Sequence, residues 1–147
     1  MDGSFYRAST EKACKWSCVS GDQTRAFSVL VAKQVRANAG YEKVQVKGLV
    51  PGKQYHFYNL PGQVDVMQFG SLINAVSPVH LKQNSMMHKL VAGFVKIERE
   101  QEDYLLSGEE LAKVGVLLHP AYGGTGFNDQ TRVFRDYASR MYYIEQA

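Results

Sequence analysis

The chemistry open to this 147-residue chain would fall first to its four histidines, two cysteines and fourteen acidic residues. His56, His80, His88 and His119 are too scattered to place two rings on one helical turn, and no cysteine or carboxylate beside them completes a zinc-type ligand set. They read as ordinary surface or core histidines, so the sequence calls for neither a metal nor a cofactor. Acid–base hydrolysis needs two carboxylates facing one substrate bond, one of them with a raised pKa. Asp2, Asp22, Asp65 and Asp129 fall in stretches that read as turns or loops. Asp103 ends the charge run Glu98-Arg99-Glu100-Gln101-Glu102-Asp103, which reads as a solvated hairpin tip, and Asp136 sits in a charged stretch before the last strand. No catalytic set emerges from these positions. Cys14 and Cys18 would lie on one strand face about 13 Å apart. A disulfide needs Cα atoms within about 7 Å, so both read as free, buried thiols.

The most distinctive segment is Ala121-Tyr122-Gly123-Gly124-Thr125-Gly126-Phe127-Asn128. It lacks the Lys-Ser/Thr ending of a P-loop and the third glycine of a dinucleotide fingerprint. No helical pattern follows to offer its N-terminus to a phosphate. One reading is a compact loop whose glycines let the backbone turn sharply. The other is a docking loop that presents Tyr122 and Phe127 to a neighbour. Nine tyrosines, seven phenylalanines and Trp16 also raise the possibility of a ring platform for stacking sugars. Tyr55 and Phe57 share a strand face, as do Met141 and Tyr143, and aromatics at strand spacing usually fill a core.

The elements that must position these residues are mostly strands. Ala13 to Ser20 alternates, with the large apolar side chains on even positions through Cys18. Gly21-Asp22 supplies a turn into the β-rich run Thr24 to Lys33. Glu42 to Lys47 alternates again. Val50-Pro51-Gly52-Lys53 places Pro and Gly where a type II turn wants them. Gln54 to Tyr58 is an aromatic strand, closed by a second Pro-Gly turn at Asn59-Leu60-Pro61-Gly62. Met86 to Ile97 fits a helical face as well, but Gly93 and the β-branched Val91, Val95 and Ile97 point to a strand. Ser107-Gly108-Glu109-Glu110 has the spacing of a capping box. It predicts a short helix from Gly108 to Val114 with Gly115 as its C-cap. Val116-Leu117-Leu118 returns to the sheet and Met141 to Glu145 forms the last strand. Short strands punctuated at intervals of roughly 8–12 residues predict an all-β, antiparallel two-sheet β-sandwich of Greek-key type with one or two short helical turns.

Composition narrows the partners. The formal charge is +3 and the cations are spread along the chain, whereas nucleic-acid binders concentrate them on one face. No apolar run approaches the ~20 residues of a membrane span. Met1-Asp2-Gly3-Ser4 has neither the basic nor the apolar region of a signal peptide. Free thiols without a disulfide framework fit a cytosolic setting. The expectation is a soluble, cytoplasmic chain that binds neither nucleic acid nor membrane.

The order of several motifs resembles the C-terminal domain of family-36 glycoside hydrolases of the α-galactosidase type. These are Gly3-x-Phe5-Tyr6-Arg7, Trp16-x-x-Val19-Ser20-x-Asp22, Val46-Lys47-Gly48-Leu49-Val50-Pro51-Gly52-Lys53-Gln54-Tyr55, Phe69-Gly70-x-Leu72-Ile73, Ser107-Gly108-x-x-Leu111-x-x-x-Gly115, and Gly124-Thr125-Gly126-Phe127-Asn128 with Arg132. They look most like the subgroup found in Gram-positive bacteria. The chain departs from the pattern at Asp136-Tyr137-Ala138-Ser139, where the family often has Asp-Phe-Gly-Ser. The resemblance implies one β-sandwich domain over residues 1–147, cut from a larger enzyme whose (β/α)8 barrel carries the two catalytic aspartates. Met1 is then a start residue placed on the excised domain. The parent reaction would be hydrolysis of terminal α-galactosyl residues, and this chain would be a non-catalytic accessory. Its implied partners are the barrel of the same polypeptide, a second copy, and α-galactosides if it is instead a carbohydrate-binding module. Tyr122, Phe127, Asn128 and Arg132 are the candidate docking or ligand contacts.

Overall fold

A computed structural model describes residues 2–34, 41–65, 74, 80–82, 85–94, 96–98, 100–119 and 136–147. The chain divides into two compact units, one of Met1–Leu60, Gln101–Pro120 and Phe134–Ala147, the other of Pro61–Glu100 and Ala121–Val133. The first unit holds strands β1 (Gly3–Arg7), β2 (Ala13–Ser20), β3 (Arg25–Ala32), β4 (Lys43–Val44) and β5 (Gln54–Tyr58). The second holds β6 (Gln63–Asp65), helix α1 (Met86–Phe94) and β7 (Lys96–Glu98). The chain then returns to the first unit with β8 (Asp103–Ser107), helix α2 (Gly108–Lys113), β9 (Val116–Leu117) and β10 (Ser139–Gln146).

Six strands of the first unit form an antiparallel sheet in the order β1-β2-β3-β10-β5-β8, and β4 pairs with β9 in a two-stranded ribbon. The last strand enters between β3 and β5, which gives the sheet its Greek-key crossing. Val44, Val46, Leu49, Val116 and Leu118 around the ribbon and Leu111 of α2 share one buried cluster with Val19, Ala26, Leu30, Tyr55, Phe57, Tyr142 and Ile144 of the sheet. The unit is therefore the expected all-β, two-layer antiparallel sandwich with short helical turns. β5 shows how alternation builds it: Tyr55 and Phe57 are fully buried, while His56 and Tyr58 lie on the other face. Phe57 stacks on Tyr142 with ring centres 5.2 Å apart. Each such buried side chain removes apolar surface worth roughly 2–3 kcal/mol.

Several expectations change in the structure. β2 buries its odd positions Ala13, Ser17 and Val19 rather than the even ones. Alternation distinguishes two faces without saying which is inside. The pairing decides, setting Ser17 opposite Ser28 and Val19 opposite Ala26 on the core side. Cys14 and Cys18 are free as expected, but half-buried on the outer face rather than buried. At Val50 to Lys53 a turn closes with Lys53 N–H donating to Val50 O at 3.1 Å, yet Gly52 does not take the positive φ of a type II turn. The Pro51 carbonyl, which reverses between the two turn types, is held by the Glu109 N–H at 3.2 Å. No turn forms at residues 59–62; Asn59 instead continues the pairing beside β5 through hydrogen bonds with Glu102.

In the second unit β6 pairs antiparallel with β7, and Met86 to Ile97 is mostly helix rather than strand. Ser85 starts α1, its hydroxyl accepting from the His88 N–H at 3.1 Å and its carbonyl from the Lys89 N–H at 3.0 Å. A satisfied N-cap outweighs the few tenths of a kcal/mol by which Val91 disfavours a helix. Only Lys96–Glu98 is a strand. Where the family pattern has glycine at position 138, the left-handed residue is its neighbour Tyr137, with φ of 61°.

Helix α2 forms as predicted. The Ser107 hydroxyl accepts from the Glu110 N–H, and the Glu110 carboxylate accepts from the Ser107 N–H at 2.7 Å. Val114 is the C-cap and Gly115 follows it with φ of 76°. The Ser107 backbone and hydroxyl hold the Glu110 carboxyl below its ordinary value. A depressed carboxyl stabilises the cap above the ordinary glutamate range, and that contribution is lost as pH falls through the lower folded value. Ser107→Ala is expected to cost about 1 kcal/mol at neutral pH. Urea unfolding should show this deficit shrinking under acid conditions; an undiminished deficit there would assign the cost to the hydroxyl alone.

Candidate functional site

Side chains that alternation turns away from the core line up across the six-stranded sheet. Phe5 lies opposite Cys18, Cys18 opposite Phe27, Phe27 opposite Tyr143 and Tyr143 opposite Tyr58. Two residues along the strands, Arg7, Trp16, Val29 and Met141 form a second row. Phe5, Phe27 and Met141 remain 63%, 38% and 45% exposed. On the far side of the aromatic row stands a third, Arg25, Glu145, His56 and Leu105. His56 Nε2 also meets Asp103 Oδ1 at 2.6 Å. The aromatic row thus has the mainly apolar Trp16, Val29 and Met141 on one side and the charged and polar Arg25, Glu145 and His56 on the other. The rings are not laid flat: His56 stacks on Tyr58 at 4.7 Å and Tyr58 on Tyr143 at 5.7 Å.

A second cluster lies where β8 begins. Glu102 is fully buried. One of its oxygens accepts from the His119 backbone N–H at 2.6 Å, and the other lies 2.8 Å from His119 Nδ1. Its own N–H donates to Asn59 Oδ1 at 2.6 Å. Burial first, and then the Glu102 charge, push the neighbouring Tyr104 phenol above its usual value. Glu100 is buried as well, so the charge run is not the solvated hairpin tip expected from its composition. The carboxylate is engaged where the chain after β9 comes back to β8, which is why it faces inward.

Several other described polar groups are paired internally. A cleft of about 430 Å³ is lined by Tyr6, Lys15, Ser17, Ser28, Val44 and Lys47, among others. Within it Ser17 bonds Ser28 at 3.0 Å, and Lys15 Nζ meets Glu42 at 2.6 Å and the Lys43 carbonyl at 2.9 Å. Asp22 accepts from Ser20 and Thr24, and Glu109 pairs with Lys113. None of these contacts joins two carboxylates. Among the described residues no group of three His, Cys, Asp or Glu side chains could hold a metal, and no described helix is long and apolar enough to cross a membrane. On α1, Met86, Met87, Leu90 and Phe94 are exposed while His88 is buried.

Tyr122, Phe127, Asn128 and Arg132, named from the sequence as contacts, lie outside the described residues. Of the aromatic pairs, Tyr55 and Phe57 fill the core, whereas Met141 and Tyr143 belong to the outer face. Sequence reasoning passed over Phe5, Phe27 and Tyr58 as surface residues. The signal available was alternation itself, since these strands carry large apolar side chains at both parities.

Residues 13–144 match the family described as the glycosyl hydrolase family 36 C-terminal domain. No curated protein matches the chain. Among solved structures, a family 36 α-galactosidase of Geobacillus stearothermophilus in complex with raffinose is 17% identical with a TM-score of 0.54, the match covering 99% of this chain and 13% of that one. The galactosidase domain of the α-galactosidase–sucrose kinase AgaSK is 18% identical with a TM-score of 0.55, covering 99% and 13%. An α-galactosidase of Lactobacillus brevis is 17% identical with a TM-score of 0.55, covering 99% and 14%. The likeness to these structures is one of fold, and the chain spans about one seventh of their length or less.

Proposed function

Because the chain belongs to the family of glycosyl hydrolase family 36 C-terminal domains, we propose that it serves as the non-catalytic C-terminal domain of an α-galactosidase-like glycoside hydrolase. In this reading it packs on the catalytic barrel of its own polypeptide and helps the enzyme assemble. The barrel supplies the two carboxylates that hydrolyse terminal α-galactosyl residues. The observation that carries the reading is the family match over residues 13–144. Retaining hydrolysis needs a nucleophilic carboxylate about 5 Å from an acid–base partner, whereas Glu110 is engaged in a helix cap, Glu42, Asp103 and Glu109 in ion pairs, and Glu102 with His119.

The purified chain is expected to release no chromophore from a chromogenic α-galactoside and to give no saturable heat with millimolar raffinose or galactose. Turnover that persists through purification would overturn the non-catalytic reading. Saturable heat without turnover would replace it with a carbohydrate-binding module. The ring-on-ring stacking of His56, Tyr58 and Tyr143 supports the first outcome, since a sugar-stacking platform presents free ring faces.

A further inference from the structure

We propose that the cleft between the open edge of β1 and the segment from Glu42 to Gly48 binds a small dianion of the phosphate class, inorganic phosphate or a phosphomonoester. This goes beyond the reading of the chain as a C-terminal domain and does not depend on it. Register decides which β1 groups face the cleft. The Ala8 N–H donates to Lys15 O at 2.9 Å. In this antiparallel pair Ala8, Tyr6 and Ser4 therefore bond to β2, while Phe5 and Arg7 turn their N–H groups to the open edge. Both residues line the cleft, whose volume of about 430 Å³ lies within the roughly 300–1,000 Å³ of small-ligand sites. On the opposite wall, alternation buries Val44 and Val46 and turns Lys43, Gln45 and Lys47 outward. Two side chains of the sheet reach across to the ends of this segment. The Tyr6 ring lies against Gly48, and Lys15 meets Glu42 at 2.6 Å and the Lys43 carbonyl at 2.9 Å.

The charge of the lining is one-sided. Arg7, Lys15, Lys43 and Lys47 line the cleft, and no carboxylate among the described residues does. Glu42 offsets Lys15, but Arg7, Lys43 and Lys47 meet no described carboxylate. Arg7 commits its Nε to Ser9 Oγ at 3.2 Å, which leaves its Nη hydrogens to donate elsewhere. Unpaired cations beside edge N–H groups suit the charge and the acceptor oxygens of a phosphate. A neutral ligand would leave those cations unused. The deepest lining residues, Ser17 and Ser28, are buried, and their hydroxyl hydrogens are spent. Ser17 Oγ donates to Ser28 Oγ at 3.0 Å, and Ser28 Oγ donates to Trp16 O at 3.2 Å. Ser17 Oγ is thus left as an acceptor, wrong for the phosphate itself but suited to a hydroxyl carried beside it on an ester.

Calorimetric titration of the 147-residue chain at about pH 8, where a phosphomonoester is a dianion, tests the assignment. The probes are inorganic phosphate, glycerol 3-phosphate and neutral glycerol, at one low ionic strength so that screening is constant. Saturable heat is expected from millimolar concentrations of either phosphate and none from glycerol. Lys43→Gln and Lys47→Gln should each weaken binding about threefold, and about tenfold together, the scale of exposed charge pairs. Lys53 is an exposed cation outside the cleft, and Lys53→Gln should leave binding within about twofold of wild type. Lys43 and Lys47 are exposed, so their variants should keep the wild-type urea midpoint. No saturable heat from either phosphate would overturn the site, as would undiminished binding by the folded double variant. Equal weakening by Lys53→Gln would reduce the effect to diffuse attraction and overturn it too. Tighter binding of glycerol 3-phosphate, with the advantage lost in Ser17→Ala, would uphold the site and identify an ester as its ligand. Equal binding of the two phosphates would uphold it with the free ion as ligand.

Discussion

Glu102→Ala is expected to lower the unfolding free energy by about 3 kcal/mol or more, in a two-state urea transition followed by tryptophan fluorescence. The carboxylate is fully buried and takes the His119 N–H at 2.6 Å and the His119 ring at 2.8 Å. Hydrogen bonds to a charged group are worth roughly 1.5–3 kcal/mol each, and a buried donor stripped of its acceptor costs about 1–3. Truncation also leaves a small cavity, which adds to the loss. The stranded ring can turn to solvent, because the His119 side chain is about half exposed. The backbone N–H has no such freedom. Glu102→Gln keeps the shape and one acceptor oxygen, so about 1–2 kcal/mol is expected from loss of the charge. Tyr104 provides a readout beyond stability. Its phenol is raised first by burial and then by Glu102, so either variant should bring its titration closer to the ordinary tyrosine value without reaching it. A raised phenol stabilises the fold below the ordinary tyrosine range near pH 10 and loses that effect as pH climbs through the folded value. A Glu102→Ala chain within about 0.5 kcal/mol of wild type, the scale of an ordinary surface change, would show that the charge run is solvated in solution after all.

How much of this was legible in the sequence depends on how local each signal is. The Ser107–Glu110 box is complete within four residues, and α2 forms as predicted. Tyr55 and Phe57 alternate cleanly in β5 and fill the core. Other features hang on partners far along the chain. The inward turn of Glu102 needs His119 and Asn59, so six charged and polar residues in a row hid a buried carboxylate. The type of turn at Pro51-Gly52 is decided by the N–H of Glu109. The core face of β2 depends on pairing with β3, and the larger side chains Cys14, Trp16 and Cys18 went outward. The same cause concealed the candidate surface. A strand that carries large apolar residues at both parities looks like an ordinary central strand until the register is known. At α1 the competing signals were both local: Gly93 and β-branched Val91 disfavour a helix by an amount comparable with what the Ser85 cap contributes, so local strength alone did not decide between them.

Gly108→Ala is expected to destabilise the fold by about 3 kcal/mol, at the upper end for forcing atoms into a packed site, although alanine is the better helix former by about 1 kcal/mol. Gly108 opens α2 and its φ lies outside the left-handed region, so conformation alone would admit a side chain. Space would not. An added Cβ falls against the Val50 carbonyl oxygen, 2.9 Å from its carbon and 3.2 Å from Tyr55 Cε2. None of these atoms can yield cheaply. The Val50 carbonyl closes the turn to the Lys53 N–H, the Val50 N–H donates to the Tyr55 hydroxyl at 3.1 Å, and that hydroxyl donates to Gln23 O at 2.9 Å. The two segments are further tied by the Gly108 N–H on Lys53 O at 2.9 Å and the Glu109 N–H on Pro51 O at 3.2 Å. Backing α2 away from Val50 would stretch both ties and draw Leu111, fully buried, from the core. Gly52 in the same turn is the internal control. Nothing lies within 4 Å of a Cβ there, so Gly52→Ala should be neutral or stabilising by up to about 1 kcal/mol through the unfolded chain. Equal urea midpoints for the two variants would mean that the turn and the helix start do not touch as described. A wide separation, with Gly108→Ala lower, would place the contact between them among the tightest constraints on the ribbon side of the sandwich.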